Sequence, residues 1–314
     1  MAKLEKLLGK VDACQQRLAN IPALFKRFRR AVLAAACSGR LTEDWRNEGG
    51  VHEDLPTGWR WVSVDELLPK GGIFDGPFGS NLKTSDYTPS GIRVIRMENV
   101  GWLTFVSSKQ AFISEQKYQF LTKHTVGEGD IIFASFIDNE IRACVLPALP
   151  AKAIAKADCF CLRPGAHLVD RWYLTFQLSS KESYEALRED IHGATRPRVN
   201  TTQVRRLPIR LCPKPEQYEI VRRVEALFRL ADAIEKRVAA ATKRAEKLTQ
   251  AILAKAFRGE LVPTEAELAR REGRSYEPAS ALLERIRAGR EEARVTSSNC
   301  TGRTQRLSKS RIRK

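Results

Sequence analysis

Arginine dominates the residues whose types and spacing suggest chemistry. Residues 193–215 hold six basic side chains and no acidic one. Within them, Gly193-Ala194-Thr195-Arg196-Pro197-Arg198-Val199-Asn200 sets guanidinium groups among Gly and Pro, the composition of a loop. A guanidinium is a planar fork of five donors, so such a loop can address phosphates or guanine edges. Groupings suited to catalysis are scarce by comparison. The chain has no Gly-x-x-x-x-Gly-Lys-Ser/Thr phosphate loop and no Pro-Pro dipeptide of the kind an amino-methyltransferase motif contains. Glu115-Gln116-Lys117, downstream of Asp86 and Glu98, imitates a nuclease Glu-x-Lys element but lacks a preceding Pro-Asp. His52, His124, His167 and His192 lie far apart, and the seven cysteines include no Cys-x-x-Cys, so no metal and no cofactor is expected. Cys159 and Cys161 are two apart, which puts both thiols on one face of a strand core.

The elements that must position these residues can be read from composition and periodicity. At 43% hydrophobic and 29% charged residues, the 314-residue chain has an ordinary globular composition. No apolar run approaches the roughly 18 residues of a membrane span, and residues 1–6 do not resemble a signal peptide, so a cytoplasmic location away from membranes is expected. The net charge of +17 is unevenly spread: +5 over residues 1–45, −3 over 46–192, +6 over 193–215, +3 over 216–263, −1 over 264–293 and +7 over 294–314. The last segment is too poor in apolar residues to offset the entropy of ordering and reads as a disordered basic tail.

Two stretches carry a 3-4 apolar spacing. The first runs from Leu4 through Leu18, Phe25, Phe28 and Val32, with a break expected at Pro22. The second runs from Ile220 through Val224, Leu227, Ile234, Val238 and Leu248 to Ile252 without a polar interruption, and predicts a helix roughly 60 Å long. Together they predict an antiparallel coiled coil whose outer cations, Arg27, Arg29, Arg30, Arg222, Arg223, Lys243 and Arg244, are left for phosphates or partner acids. The helices also end alike. Residues 31–41 align with 251–261 at a shift of 220, with six of eleven positions identical and Gly39 matching Gly259 at the expected cap. Such a repeat points to duplicated architecture around a non-repeated middle. Residues 278–287 form a short amphipathic helix suited to docking a partner or capping the coil.

Between the long helices, residues 55–212 read as short strands and turns. Gly91-Ile92-Arg93-Val94-Ile95-Arg96-Met97 alternates, placing Arg93 and Arg96 on opposite faces, so at most one reaches a ligand. Gly129-Asp130-Ile131-Ile132-Phe133-Ala134 is a turn into a buried strand. The fold class is therefore α+β: one mixed α/β domain flanked by two long helices. The expected division is 1–45 helix, 46–215 domain, 216–260 helix, 261–293 docking or capping segment and 294–314 tail.

Several motifs chain together. They are Leu55-Pro56-x-Gly58-Trp59-x-Trp61, Asp75-Gly76-Pro77-Phe78-Gly79-Ser80-Asn81-Leu82-Lys83, Ser85-Asp86-Tyr87, Gly91 to Asn99, Gly129-Asp130-Ile131-Ile132, Pro213-Lys214-Pro215-Glu216-Gln217, Arg30 to Arg46 and Ala254 to Pro263. In this order they resemble the specificity subunit of type I restriction-modification systems over roughly residues 1–293. The resemblance implies a non-catalytic DNA reader whose helices act as a ruler and bind methyltransferase subunits, and through them the restriction subunit. Family members carry two target recognition domains, each reading one half of a split site in double-stranded DNA. This sequence holds one, which implies a half-length form that self-associates or pairs with another half subunit. The resemblance also implies that loops of the middle domain face the DNA, making candidates of Phe78, Ser80, Asn81, Lys83, Arg93, Arg96, Asn99, Arg196, Arg198, Asn200 and Arg205, with Asp138 and Asn139 as secondary ones. The competing reading is a coiled-coil adaptor without sequence-specific DNA readout.

Overall fold

The computed structural model describes residues 2–46, 55–189 and 197–292. The basic tail expected at 294–314 and the candidate Arg196 lie outside these residues. The described residues form two compact units, one of residues 2–19 with 239–292 and the other within Asn20–Val238. Both boundaries fall inside long helices, α1 (Ala2–Cys37) and α7 (Lys214–Phe257).

Among the described residues the larger unit holds eleven strands: β1 (Arg60–Ser63), β2 (Ile73–Phe74), β3 (Tyr87–Thr88), β4 (Ile92–Ile95), β5 (Phe112–Ile113), β6 (Thr125–Val126), β7 (Ile131–Ala134), β8 (Ala143–Val145), β9 (Ala153–Ala155), β10 (Cys159–Leu162) and β11 (Pro208–Leu211). Its short helices are α2 (Glu43–Arg46), α3 (Glu115–Gln119), α4 (Arg171–Leu178), α5 (Lys181–Glu189) and α6 (Thr201–Arg206). β1 and β11 form an antiparallel ribbon, β2-β10-β7-β8 an antiparallel sheet, and β3-β5-β4-β9-β6 a mixed sheet in which β4 and β9 run parallel.

Strand alternation sorts the core into layers. From β7 and β10, Ile131, Phe133, Phe160 and Leu162 join a core with the C-terminal end of α1, the β1–β11 ribbon and α4. The intervening Ile132, Ala134, Cys159 and Cys161 face a second core shared with Ile95, Ala153 and Ala155 of the mixed sheet. On the mixed sheet's other face, Ile92, Val94 and Ile113 pack with Tyr118 and Leu121 around α3. The strands covered on both faces are accordingly buried at every position. Cys159 and Cys161 share one face as their spacing requires, with burial pushing both thiols up.

The start of α7 ties this unit together. The Glu216 carboxylate, 2% exposed, accepts the Trp59 indole N–H at 2.9 Å and the Thr42 hydroxyl at 2.7 Å, and pairs with Arg46. Gln217 accepts the Asp170 amide at 2.7 Å and donates to the Cys212 carbonyl at 2.8 Å. Asp170 in turn caps α4 through the amides of Trp172 and Tyr173. Gly39 ends α1 at φ +80°, and a Cβ there would meet Pro56 at 2.6 Å, so both conformation and space demand glycine.

Three expectations about the helices need correction. α1 continues through Pro22 instead of breaking there. The one lost hydrogen bond is outweighed by packing on either side: Val11 is buried and Gln15 reaches Thr249 in the smaller unit, while Arg29 pairs with Asp232 and Glu235 in the larger. The helices do run antiparallel, since within the larger unit Arg29 meets Glu235 and Thr42 meets Glu216. The seam, however, is one-sided. Val32, Val224, Ala231, Ala245 and Ile252 are buried and Leu18, Phe25, Leu227 and Val238 half-buried, but Phe28 and Ile234 are exposed and Leu248 is 51% exposed. Val224, Ala231, Ala245 and Ile252 face inward along one row of α7, while Ile234 and Leu248 of the other row face outward. Finally, several outer cations are already paired: Arg29 as above, Arg30 with Glu140, and Arg222 and Arg223 with Glu219.

Among the described residues no helix is long and apolar enough to cross a membrane, and no cluster of His, Cys, Asp and Glu is arranged to hold a metal ion. Removing the Glu216 carboxylate strands a buried guanidinium, an indole N–H and a hydroxyl. Glu216→Ala is therefore expected to cost about 3–5 kcal/mol, with Glu216→Gln costing less because an acceptor remains. Urea unfolding of the full chain followed by tryptophan fluorescence measures both; equal midpoints for wild type and Glu216→Ala would contradict the assignment.

Candidate nucleic-acid interface

Asp75-Gly76-Pro77-Phe78 forms a turn that lies close on the β9–β10 connection. A Cβ on Gly76 would meet the Lys156 carbonyl carbon at 2.1 Å, so only glycine permits this approach. Beyond it, a 3-10 turn over Gly79–Asn81 leaves Phe78, Ser80, Asn81 and Lys83 exposed. The second basic stretch arrives from the far end of the domain. Ile137 N–H donates to the Pro197 carbonyl at 3.1 Å and Val199 N–H to the Ser135 carbonyl at 2.9 Å, pinning Arg198 opposite Phe136.

These two segments meet through side chains. The Arg198 guanidinium lies 5.5 Å from the Phe78 ring centre and 5.8 Å from that of Phe136, and its Nη2 pairs with Asp158 at 2.5 Å. Phe78 is 48% exposed and the Arg198 side chain 46%. Asp158 adopts φ +72° and accepts the Ser135 hydroxyl at 3.2 Å. Its amide donates at 3.0 Å to Asp75 Oδ1, which also takes the Gly76 amide at 2.7 Å. Burial, together with the neighbouring Asp158 charge, pushes the Asp75 carboxyl up to about 6, even though both backbone donors and Arg198 oppose the shift. The arrangement is a half-exposed cation beside two aromatic rings, paired with the Asp158 carboxylate that Asp75 in turn holds through its amide.

The remaining candidates do not join it. Arg93 is buried; its guanidinium donates to the Ser107 and Lys109 carbonyls and lies over Phe112. Asn99 is fully buried and closes its own turn, accepting the Arg96 amide and donating to the Val106 and Lys109 carbonyls. Both are therefore removed from the candidate surface: polar groups in a tightly packed strand end satisfy the backbone. Arg96 is half-exposed and pairs with Glu98 at 3.2 Å. Asn200 caps α6, with Gln203 completing a reciprocal capping box. Arg205, on α6, pairs with Asp65. Asp138 receives the Tyr184 hydroxyl on its carbonyl, and Asn139 lines a cavity of about 380 Å³ with Arg30, Trp102 and Tyr184. Of the nuclease-like residues, Lys117 pairs with Asp86 and Glu115 with Lys152.

Residues 83–243 match the family model described as Type I restriction modification DNA specificity domain. The chain belongs to this family. Among the curated members of this specificity-domain family, the EcoDI specificity subunit of the type I restriction enzyme from Escherichia coli is 31% identical over 92% of this chain and 65% of its own length. The StySPI specificity subunit from Salmonella potsdam is 33% identical over 92% of this chain and 60% of its own length. The chain thus spans about 60–65% of the length of these relatives. A chain solved in a study of complex assembly and conformational transition of the type I R-M system has the same fold, with a TM-score of 0.54 at 21% identity, covering 82% of this chain and 59% of that one.

Sequence reading missed Phe136, Asp158 and Asp75 as members of this candidate cluster. Nothing in spacing could have joined them, because Phe78, Phe136, Asp158 and Arg198 come from four separate loops. For Asp75 the sign of the pH effect follows from its raised value. A carboxyl held at about 6 when folded contributes stability that is complete below the ordinary Asp range and lost as pH rises through 6. Asp75→Asn keeps an acceptor for both amides, so it is expected to stabilise the chain at pH 7.5 and to lose that advantage by pH 4. Urea midpoints of the two proteins across this window test it, and parallel curves would exclude the assignment.

Proposed function

We propose that the chain is the sequence-specific DNA-recognition subunit of a type I restriction-modification complex, reading one half of a bipartite site and scaffolding methyltransferase and restriction subunits. Membership in the specificity-domain family over residues 83–243 carries this reading. The aromatic–arginine cluster of Phe78, Arg198 and Phe136 supports it, since a half-exposed guanidinium held beside two rings suits a guanine edge. Ser80, Asn81, Lys83 and Arg96 are accessible enough to add backbone and base contacts. Methylation and cleavage are assigned to partner chains, and the DNA-reading chain needs no cofactor of its own.

The internal repeat supports pairing with a second recognition domain, from another copy or from an unlike half. In the first repeat copy, Val32, Leu33, Ala36 and Cys37 are buried against this chain's own domain, and Gly39 lies under Pro56 and Trp59. In the second, Leu253 and Ala256 are half-buried, Phe257 is 91% exposed, and nothing lies within 4 Å of a Cβ on Gly259. The outward row with Leu248, and Leu282, Leu283 and Ile286 on the helix at 279–292, add apolar surface suited to partner helices.

Two measurements test these proposals. Binding of the full chain to a duplex enriched from a random pool and to a scrambled duplex, across a salt series, should show a preference of orders of magnitude. Equal, weak and steeply salt-dependent binding would leave only phosphate attraction and favour the adaptor reading. Native mass measurement with the methyltransferase subunit should show two recognition domains per complex. Phe257→Asp should reduce that pairing at least tenfold without lowering the urea midpoint; an unchanged mass distribution would refute pairing through this surface.

A further inference from the structure

The Arg198 platform raises a question that family membership does not answer. A cation meant for phosphate attraction is most effective unpaired, yet Arg198 holds a carboxylate 2.5 Å from Nη2. The brace is built rather than incidental. Asp158 sits in the left-handed backbone region, which non-glycine residues rarely adopt and which Asn and Asp tolerate best. Its carboxylate also accepts from Ser135, its amide is held by Asp75, and the backbone of Arg198 is bridged to that of Phe136. The side chain is thus held at both ends: two rings, 5.5 and 5.8 Å from the guanidinium, and a carboxylate on Nη2 restrict its orientation before any ligand arrives.

Pairing and fixing have opposite consequences for two kinds of binding. The carboxylate cancels much of the field that draws any phosphate, lowering affinity for DNA of arbitrary sequence. A fixed plane removes the entropy cost of ordering a long side chain, which favours the one geometry that meets a base edge. Resting on the reading of this chain as a DNA-recognition subunit, we propose that Asp158 is a positioning residue that converts Arg198 from a general phosphate contact into an oriented base reader, and so sets sequence discrimination.

The test uses the full chain, a duplex enriched from a random pool by the wild-type protein, and a scrambled duplex. Asp158→Asn is the informative variant because Asn tolerates the same backbone and keeps an acceptor for Ser135. It is expected to bind the scrambled duplex as well as or better than wild type, to steepen its salt dependence, and to lower the ratio of selected to scrambled affinity about tenfold. A residue with a purely structural role would weaken both duplexes alike. Arg198→Ala should lower the same ratio, and Asp158→Asn added to it should lower it no further. Arg198→Lys keeps the charge without the planar fork, so it should lose the ratio while holding the scrambled affinity. A wild-type ratio in Asp158→Asn or in Arg198→Lys, or additive losses in the double variant, overturns the inference while leaving the recognition function standing. Failure of the wild-type chain to enrich any sequence overturns that function and the inference with it.

Discussion

The larger unit depends on one buried carboxylate. Glu216 stands in the first turn of α7, yet its partners come from the 3-10 turn Arg40–Thr42 after α1, from α2 and from the entry to β1. An ionised group at 2% exposure is tolerable only with near-complete hydrogen bonding, and it has an indole, a hydroxyl and a guanidinium. This requirement brings three segments that are remote in sequence to a single point. Gln217, one residue on, extends the same point to Cys212 and to the cap of α4. Both long helices are consequently anchored to the domain that carries Phe78 and Arg198 where they enter and leave it.

How much of this was legible depends on the range over which each feature is decided. Local periodicity showed the two long helices, the buried strand at Ile131 to Ala134 and the shared face of Cys159 and Cys161, because a repeat of 3.5 or 2 is written in neighbouring residues. It misplaced Pro22, whose intrinsic cost was overridden by packing against α7, and it treated both rows of the seam as equal when Ile234 and Leu248 of one row are exposed. Arg93 reads as an available cation by residue type, but its strand is covered on both faces and the guanidinium serves backbone carbonyls instead. Among the site residues, a tight turn around Phe78 followed from its Gly and Pro. Its meeting with Arg198 did not, because that contact is made by tertiary closure of loops about 120 residues apart.

Charge shows the same limit in another form. The six bases in residues 193–215 look like an uncompensated cluster, but the fold supplies acids from elsewhere. Arg198 meets Asp158 and Arg205 meets Asp65, while Arg210 lies over Trp61 with Glu182 at 4.0 Å. Lys214 donates to the Ala166 carbonyl and lies over Tyr218. A local excess in sequence is therefore not a local field in space.

That redistribution bears on how a basic chain can discriminate among duplexes at all. Unpaired cations bind every duplex, since each carries the same phosphates, and raising their number raises affinity for all sequences together. Discrimination improves when cations are neutralised by internal partners except along the edge that faces a base, and when those partners hold the edge still. In this chain Arg29 and Arg30 of α1 and Arg222 and Arg223 of α7 are paired with acids of the same helices or the adjacent domain, and Arg198 is paired with Asp158 while remaining half-exposed. The positive excess is spent on rigidity as well as on attraction. Internal ion pairs, which contribute little to stability when exposed, thereby acquire a role as the means of separating reading from mere adhesion.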